Sequence, residues 1–414
     1  MADTTTRSRA FPKLRRALPT PLRQTLGTAY YTLANDLTLL RAPAPPPLRP
    51  GLNLFGQLTE ASGMGAAGRL LAAGCREAGI PLALHPLRSY SGVDIPVEEW
   101  EALFTPEAPY AANLFVFNAD CSEYFLRQAG VGVLKGRRNI AHWSWELPVF
   151  PERWRRAFDR YDEIWTISEF CRRAIAPLSP VPVRVIPYGI APRPDEALRR
   201  ADFALPEGRL LFLSMFDVRS IQSRKNPLGS LRAYCRAFPG DNGDTALVLK
   251  VSGGTAEELA PLRALAAQRR DIFLLEGVYS QSRTDALLSL CDVFLSLHRA
   301  EGFGLPIAEA MALGKCVVVT VWSGNMDFTS TENACCVKYS LVRLGEAAAP
   351  PYDKWQEWAE PNEADAALWL RRLYEEPALR EELGRRGRQT IRERYSPLRC
   401  GETVAGRLRE LGQL

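Results

Sequence analysis

The pattern of apolar and polar positions after residue 50 predicts strands that are separated by helices. Short apolar runs, typical of buried strands, recur between longer stretches in which apolar residues have helical spacing. In the first half of the chain, the strand candidates are residues 52–55, 81–85, 113–117, 139–143 and 163–167. In the second half, they are residues 210–214, 246–251, 272–275, 293–297 and 317–320. The alternation predicts an α/β protein whose parallel sheets carry helices on both faces.

The strand–helix pattern pauses between residues 187 and 206, a stretch rich in proline, glycine and charged residues. We place a domain boundary there. A helix candidate at 398–411 lies near the end of the chain, and a stiff proline-rich spacer at 43–47 precedes the first strand. The predicted parts are an N-terminal arm at 1–48, a first Rossmann-like domain at 49–195, a second at 206–385 and a C-terminal helical segment at 386–414.

Positive charge is concentrated in the first 49 residues. They carry eight basic and two acidic residues, a net charge of +6, whereas the whole chain has +5 and its remainder therefore −1. A basic arm predicts contact with an anionic membrane surface, and we expect no nucleic-acid partner; a solvated leader explains the charge equally well. Because the arm lacks the apolar core of a secretion signal, we expect a cytoplasmic protein, peripheral at the inner face of the membrane.

An apolar stripe runs through residues 24–40 at helical spacing, formed by Leu26, Tyr30, Leu33 and Leu37. The segment is too short and too polar to span a bilayer. As an amphipathic helix, it could lie on a membrane surface. It could also pack its stripe against the body of the protein, which is the commoner arrangement. Both interpretations stay open at this point.

Cysteine and histidine usage argues against a metal site. The nine cysteines include no Cys-x-x-Cys pair, and the three histidines have no metal-ligand spacing. We therefore expect free thiols in a reducing compartment, and no metal or other cofactor. With 414 residues, of which 46% are hydrophobic and 24% charged, the chain has the composition of a two-domain soluble protein.

The segment EGFGLPIAEAM at 301–311 holds the densest candidate chemistry. It follows the strand candidate at 293–297 and leads through glycines into a helix that begins near Pro306. Glu301 and Glu309 therefore lie at one strand-to-helix crossing, toward which the unpaired amides of the new helix also point. Such a crossing can hold an anion on its amides and bind sugar hydroxyls through its carboxylates. A solvated acidic loop is the alternative.

This segment, with LHRA before it at 297–300, resembles the signature of glycosyltransferase family four. Five further blocks resemble motifs of that family in the same order: DEIWTISEF at 162–170, IPYGI at 186–190, FDVRSIQSRKNP at 216–227, WSGNMDF at 322–328 and WAEP at 358–361. The resemblance implies a GT-B fold, in which two Rossmann-like doubly wound domains face each other across a cleft. It also implies retaining, metal-independent transfer of a hexose from a nucleotide diphosphate sugar.

The resemblance assigns roles by position. Lys225 matches the family's phosphate-binding lysine, and Arg224 stands beside it. Glu301 matches the glutamate that contacts the donor sugar, and Glu309 matches the one that holds the nucleotide ribose. The family's usual Gly-Arg is replaced by Phe-Asp at 216–217, which leaves open which arginine serves the phosphates. Further donor contacts are expected from Gly302, Phe303, Gly304, Leu305, Lys250 and Tyr279.

The first domain offers a rival interpretation. Residues 63–68 read Gly-Met-Gly-Ala-Ala-Gly, a literal Gly-x-Gly-x-x-Gly that indicates an NAD(P)-dependent oxidoreductase. A dinucleotide fingerprint follows its strand more closely than this one does, and the next strand lacks the terminal acidic residue that would bind a ribose. The resemblance instead places Gly63 and Gly65 near the donor phosphates.

Three more residues stand where first-domain strands end. His142 is expected to contact the donor sugar, with a structural histidine as the alternative. Asn118 and Asp120 are expected to face the acceptor. No carboxylate nucleophile is evident in this domain, which fits a front-face mechanism in which the departing phosphate helps to deprotonate the incoming hydroxyl.

The expected function is therefore hexosyl transfer to a hydroxyl acceptor, with retention of configuration. A glycan or lipid-linked glycan acceptor, as in polysaccharide biosynthesis, would explain the basic arm. The alternatives are the oxidoreductase and a non-catalytic protein that binds nucleotide sugars.

Overall fold

Two six-stranded parallel sheets define the two lobes of the molecule. The computed structural model describes residues 20–89 and 92–414, so the first 19 residues, with five of the eight basic residues counted above, lie outside the described residues. Strands and helices alternate along both lobes, as the α/β prediction requires.

The first sheet has the strand order β2-β1-β3-β4-β5-β6. Its strands are β1 (Arg49–Gly56), β2 (Leu82–Pro86), β3 (Tyr110–Val116), β4 (Arg138–Trp143), β5 (Glu163–Thr166) and β6 (Val183–Val185). The sequence pattern predicted the first five. It missed β6 because that edge strand is three residues long and carries an exposed arginine at its centre.

The second sheet has the strand order β12-β11-β10-β7-β8-β9. Its strands are β7 (Leu210–Asp217), β8 (Thr245–Ser252), β9 (Ile272–Glu276), β10 (Val293–Ser296), β11 (Cys316–Thr320) and β12 (Cys335–Val337). The chain leaves β7 toward one edge and returns through β10 toward the other, so these two strands form a topological switch point. Ligands of such sheets bind beyond the carboxyl ends of the strands at this point.

An antiparallel hairpin follows the second sheet, formed by β13 (Tyr339–Arg343) and β14 (Glu357–Pro361). The helices of the first lobe are α1 (Thr20–Arg41), α2 (Gly63–Glu77), α3 (Glu98–Glu101), α4 (Ser122–Ala129) and α5 (Glu169–Ile175). Those that follow are α6 (Gln222–Lys225), α7 (Pro227–Ala237), α8 (Ala256–Ala266), α9 (Gln281–Leu290), α10 (Leu305–Ala312), α11 (Glu363–Glu375), α12 (Pro377–Arg394) and α13 (Pro397–Glu410). A 3-10 helix, Glu152–Arg160, lies between β4 and β5.

The last helix, α13, crosses back onto the first lobe. It packs so closely on α2 that a Cβ atom on Gly401 would lie 1.9 Å from the carbonyl oxygen of Gly74. Arg407 forms an ion pair of 2.6 Å with the buried Glu163 of β5. Residue 386, the predicted start of the crossing segment, lies inside α12, which packs on α10 and β11 of the second lobe.

Helix α1 packs on the first lobe through its polar face. Asn35 donates a hydrogen bond of 2.8 Å to Glu123, and Asp36 pairs with Arg160 at 2.6 Å. The members of the apolar stripe whose side chains are described point the other way: 57% of Tyr30, 63% of Leu33 and 47% of Leu37 is exposed, as is 80% of the nearby Leu40. The interpretation that the stripe packs on the body is therefore wrong. Within the described residues, no helix has the length and apolar character needed to traverse a bilayer.

The two lobes meet at the carboxyl ends of their strands. Ser168, just after β5, donates a hydrogen bond of 2.6 Å to the carbonyl oxygen of Gly302, in the loop after β10. The amide of Glu169 donates to the carboxylate of Asp327 at 2.7 Å. The loops that follow the central strands of both sheets therefore face one another across a cleft.

Candidate active site

The crossing from β10 to α10 is shaped by a glycine and a proline. Gly304 has a φ of +92°, a left-handed conformation that favours glycine, and it directly precedes the first helical residue, Leu305. Pro306 occupies the first turn, where its missing N–H costs nothing. The chain therefore turns sharply at this point, and the amides of Ile307 and Ala308 donate to the carbonyl oxygen of Gly304 at 2.9 and 3.1 Å. Of the residues that open α10, this leaves the Leu305 amide without a partner inside the helix.

Two cations converge on Glu301 from the loop that follows β7. Lys225 Nζ lies 2.5 Å from Glu301 Oε1, and Arg224 Nη1 lies 3.3 Å from Oε2. The guanidinium of Arg224 is fixed by two further hydrogen bonds, of 2.7 Å to the carbonyl oxygen of Ala300 and 3.1 Å to that of Ser220. Its Nε atom is buried and has no hydrogen-bond partner among the described residues.

The electrostatics of this cluster favour an anionic ligand. Burial alone would raise the pKa of Glu301, but the charges of Lys225 and Arg224 outweigh it and hold that pKa at about 2. Burial lowers the pKa of Lys225, and the neighbouring Glu301 carboxylate opposes that shift. Burial opposes the charge of Arg224 as well, but the surrounding acidic groups raise its pKa. An anion that displaced Glu301 would therefore meet two desolvated cations.

A neighbouring turn after β11 fixes the backbone of Glu301. Ser323 adopts a φ of +78°, which is strained for a residue other than glycine, and its hydroxyl accepts a hydrogen bond of 2.8 Å from the Glu301 amide. The amide of Gly324 donates to the Glu301 carbonyl at 2.9 Å. A Cβ atom on Gly324 would lie 1.9 Å from the carbonyl oxygen of Gly302. Only glycine therefore allows the two turns to approach this closely.

Glu309 lies on α10 in a different electrostatic environment. Its carboxylate is buried, and the amide of Gln281 is 3.4 Å away, the only hydrogen bond it receives from the described residues. Burial, assisted by the nearby Asp285, raises the pKa of Glu309 well above its usual value. A buried carboxyl group without a cation is suited to hydrogen bonds with neutral hydroxyls, such as those of a ribose.

Lys250 and Tyr279 lie together beyond the ends of β8 and β9. The ammonium of Lys250 donates a hydrogen bond of 2.6 Å to the carbonyl oxygen of Gly277 and lies 4.2 Å from the centre of the Tyr279 ring. Burial lowers the pKa of Lys250 to about 8. The structure thus places both predicted donor contacts at the carboxyl ends of the strands of the second sheet, next to β8 and β9 and away from the switch point between β7 and β10.

The glycine-rich segment of the first domain forms the start of α2. Gly63 is the first helical residue and has open space around it. Gly65 is required by packing, because a Cβ atom there would lie 2.4 Å from the carbonyl oxygen of Glu60. Its amide is capped by the Ser62 hydroxyl at 3.0 Å. The loop between β1 and α2 thus folds on itself, unlike the tight turn that a dinucleotide fingerprint makes.

His142 lies at the end of β4 in contacts that favour the structural alternative. The ring is wholly buried and stacks on Tyr188, and its Nε2 lies 3.2 Å from the carbonyl oxygen of Ile186. Burial lowers its pKa to about 4, so the ring is neutral at physiological pH. These contacts are those of a core histidine.

Asn118 and Asp120 follow β3 on the side of the first lobe that faces the cleft. The Asn118 side-chain oxygen accepts a hydrogen bond of 2.9 Å from the amide of Ser144, which ties the ends of β3 and β4 together. Asp120 is exposed, yet desolvation raises its pKa.

One contact between the lobes, that of Glu146 with Tyr352, was not predicted from the sequence. Glu146 is not among the predicted site residues, yet its Oε2 accepts a hydrogen bond of 2.9 Å from the Tyr352 hydroxyl. The two residues belong to different lobes and are 206 positions apart in the chain. The only signal in the sequence was the position of Glu146 shortly after a strand that ends at the cleft.

Comparison with known proteins agrees with this geometry. A sequence model of the family described as Glycosyl transferases group 1 matches residues 199–340. That range includes the whole second sheet and, with it, Lys225, Glu301 and Glu309. No curated protein matches the chain in sequence.

Three solved structures illustrate the structural similarity. Anabaena HepE (Alr3699), in complex with UDP and glucose, aligns with a TM-score of 0.63 at 13% identity, covering 87% of this chain and 100% of that one. Sucrose-phosphate synthase from Thermosynechococcus elongatus aligns with a TM-score of 0.61 at 16% identity, covering 88% and 99%. A mutant of S. aureus TarM, in complex with Fondaparinux, alpha-GlcNAc-glycerol and UDP, aligns with a TM-score of 0.54 at 12% identity, covering 75% and 57%. Identities this low establish the fold alone, and that fold is GT-B.

Proposed function

We propose that this protein is a retaining hexosyltransferase that moves a hexose from a nucleotide diphosphate sugar to a hydroxyl acceptor without a metal cofactor. The second lobe binds the nucleotide, and the first lobe binds the acceptor. The observation that carries the proposal is the 2.5 Å contact of Lys225 with Glu301, at the switch point of the second sheet and facing the first lobe.

The chemistry of the reaction needs this arrangement. When the glycosidic bond to the diphosphate breaks, negative charge develops on the leaving oxygen. Lys225, Arg224 and the positive end of the α10 dipole are positioned to compensate that charge. Glu301 then binds a hydroxyl of the sugar, and Glu309 binds the ribose. The departing phosphate takes the proton of the acceptor hydroxyl on the face that it leaves, which retains the anomeric configuration.

The comparisons support a nucleotide sugar as the donor and suggest where to begin. Solved structures of similar fold are described as complexes with UDP and glucose, with UDP-glucose, or with UDP and GlcNAc. The family match covers the lobe that would bind the nucleotide. Uridine diphosphate hexoses are therefore the first donors to test.

We further propose that the acceptor is a glycan or a lipid-linked glycan and that the protein works at the inner face of an anionic membrane. The support is the apolar stripe of α1, which points away from the lobe, together with the basic residues that precede it in sequence. An exposed apolar stripe next to clustered positive charge is the usual combination in interfacial helices.

A panel of nucleotide sugars, with NADPH as comparison, tests the reaction. The true donor binds the native state alone and should raise the melting temperature by mass action, whereas NADPH should not. Product analysis should then show transfer with retention, undiminished by EDTA, and Glu309→Ala should abolish it. Stabilisation by NADPH alone would favour the oxidoreductase. Binding of a nucleotide sugar without transfer or hydrolysis, on any acceptor tested, would favour a non-catalytic binding protein.

Sedimentation with anionic and neutral vesicles tests the membrane proposal. Deletion of residues 1–42, or the double substitution Leu33→Ser and Leu37→Ser, should reduce binding to anionic vesicles several-fold. Leu368→Ser is the matched control, because Leu368 is similarly exposed but lies on α11 of the other lobe. Binding that survives both changes would contradict the proposal.

A further inference from the structure

Glu146 stands at the junction of the two lobes, directly against the predicted donor site. It follows β4 by three residues, and a Cβ atom placed on Gly302 would lie 3.8 Å from its Cγ. Gly302 is the residue after Glu301. The side chain of Glu146 therefore borders, from the first lobe, the same loop whose carboxylate holds Lys225 from the second lobe.

The charge of Glu146 acts on groups of both lobes. It contributes to raising the pKa of Asp120 in the first lobe, and it favours the charged forms of Arg224 and Lys225 in the second. Coulombic effects weaken with distance and with screening by water. The packing of Glu146 against Gly302 places its side chain on the first-lobe side of the loop that holds the cation cluster.

Tyr352 holds one oxygen of this carboxylate. Its hydroxyl donates to Glu146 Oε2 at 2.9 Å, and its ring lies 5.3 Å from that of Trp145 at a steep angle. The other oxygen, Oε1, accepts no hydrogen bond from the described residues. Glu146 is only half-buried, so part of the residue is open to solvent.

The segment that carries Tyr352 is itself anchored to the first lobe. Residues 344–356 connect β13 to β14, and Asp353 pairs with Arg153 at 2.8 Å. Gln356 donates a hydrogen bond of 2.6 Å to the carbonyl oxygen of Val149. The Tyr352 hydroxyl is therefore held between the lobes by contacts made within the same short segment.

We propose that Glu146 is a further substrate-contacting residue, whose free oxygen accepts a hydrogen bond from a sugar hydroxyl, and that Tyr352 is the residue that positions it. The inference rests on the proposed function. A carboxylate beside a diphosphate site does not bind the diphosphate, because the charges repel. It binds a neutral donor group that lies next to the diphosphate, and in this reaction that group is a hydroxyl of the transferred sugar or of the acceptor.

Steady-state kinetics of Glu146→Gln and Tyr352→Phe test the inference, with Glu152→Gln as the matched control. Glu152 is an exposed glutamate of the same lobe that pairs with Arg155. We expect Glu146→Gln to lower kcat/KM about 10- to 100-fold, the usual effect of losing a charged hydrogen-bond acceptor. Tyr352→Phe keeps the ring and should lower it about 3- to 10-fold, with Tyr352→Ala lower still. Glu152→Gln should match the wild type.

Two arms identify the source of the hydroxyl. If it belongs to the donor sugar, Glu146→Gln also slows hydrolysis of the donor in the absence of acceptor. If it belongs to the acceptor, hydrolysis is unchanged and KM for the acceptor rises. Either result supports the inference, provided that the affinity for UDP alone, measured by calorimetry, stays within about two-fold of the wild type.

Three outcomes would overturn it. Values of kcat/KM for both substrates within about two-fold of the wild type in Glu146→Gln would show that the carboxylate touches neither. A fall in UDP affinity as large as the fall in kcat/KM would show that Glu146 acts only through the nucleotide site. Absence of transfer and hydrolysis in the wild type would overturn the proposed function first, and the sugar contact with it.

Discussion

The close approach of two backbone turns at the predicted donor site makes Gly324→Ala a sharp test of the site assignment. The added methyl group would lie 1.9 Å from the carbonyl oxygen of Gly302, whereas real Cβ atoms stay beyond 3.0 Å. The contact is with backbone, which cannot rotate away, so the loop of Glu301 to Gly304 must move by about 1 Å. A misplacement of that size at a reacting centre typically costs about 100-fold in rate.

We therefore expect Gly324→Ala to lower kcat/KM by about 100-fold, which corresponds to about 3 kcal/mol of transition-state stabilisation. Overpacking should also reduce stability, by about 1–3 kcal/mol. Gly406→Ala is the matched control: a Cβ atom there has no neighbour within 4 Å, and helix propensity predicts a gain of about 0.5–1 kcal/mol.

The assay is initial-rate transfer with the donor found by the nucleotide-sugar panel, at a temperature well below the melting point of every variant. Folding is checked in parallel by thermal unfolding, so that lost activity is not mistaken for lost protein. If Gly324→Ala folds and retains kcat/KM within about three-fold of the wild type, the loop of Glu301 does not lie at the reacting centre, and the reasoning is refuted.

Three further predictions follow from the charged groups. Burial raises the pKa of Glu309, so the protein loses stability as pH rises through that pKa and the buried carboxyl group ionises. Glu309→Gln should therefore raise the melting temperature at about pH 7.5 in the absence of nucleotide, and it should weaken UDP binding. The pKa of Glu301 is held at about 2 beside Lys225, so its ionised form contributes about 3 kcal/mol to the free energy of unfolding above about pH 5. This contribution is lost as pH falls from about 4.5 to 2. In urea titrations, Glu301→Gln should therefore be less stable than the wild type at about pH 7, and the difference should disappear near pH 2. Arg407→Met leaves the buried Glu163 poorly compensated and should cost about 3 kcal/mol, measured by the same titration at about pH 7; a loss below about 1 kcal/mol would contradict it.

The strands of both sheet centres could be predicted from the sequence because each is an uninterrupted apolar run, buried on both faces. The strand at 293–297 is an example, and the observed β10 differs from it by one residue. The hairpin of β13 and β14 could not be predicted in this way. Its first strand is largely exposed, and the connection of 344–356 has no regular pattern.

The site was predictable only in part. The proximity of Lys225 and Glu301 followed from the order of motifs, since both belong to loops after strands that are neighbours in such a sheet. The burial of His142 depends on the ring of Tyr188, which comes from a distant segment, and no local pattern encodes it. The contact of Glu146 with Tyr352 has the same origin, because it exists only once the two lobes are assembled.

The return of α13 to the first lobe has a consequence for biosynthesis. The amide of Gly51, at the start of β1, donates to the carbonyl oxygen of Gln413, just beyond α13. The first lobe emerges first from the ribosome, but it lacks this covering helix until the second lobe has also been made. In a nascent chain, the surface of α2 that α13 covers therefore stays exposed while the second lobe is synthesised. A premature stop codon within α13 would leave that surface uncovered and so affect the first lobe, although that lobe was synthesised first.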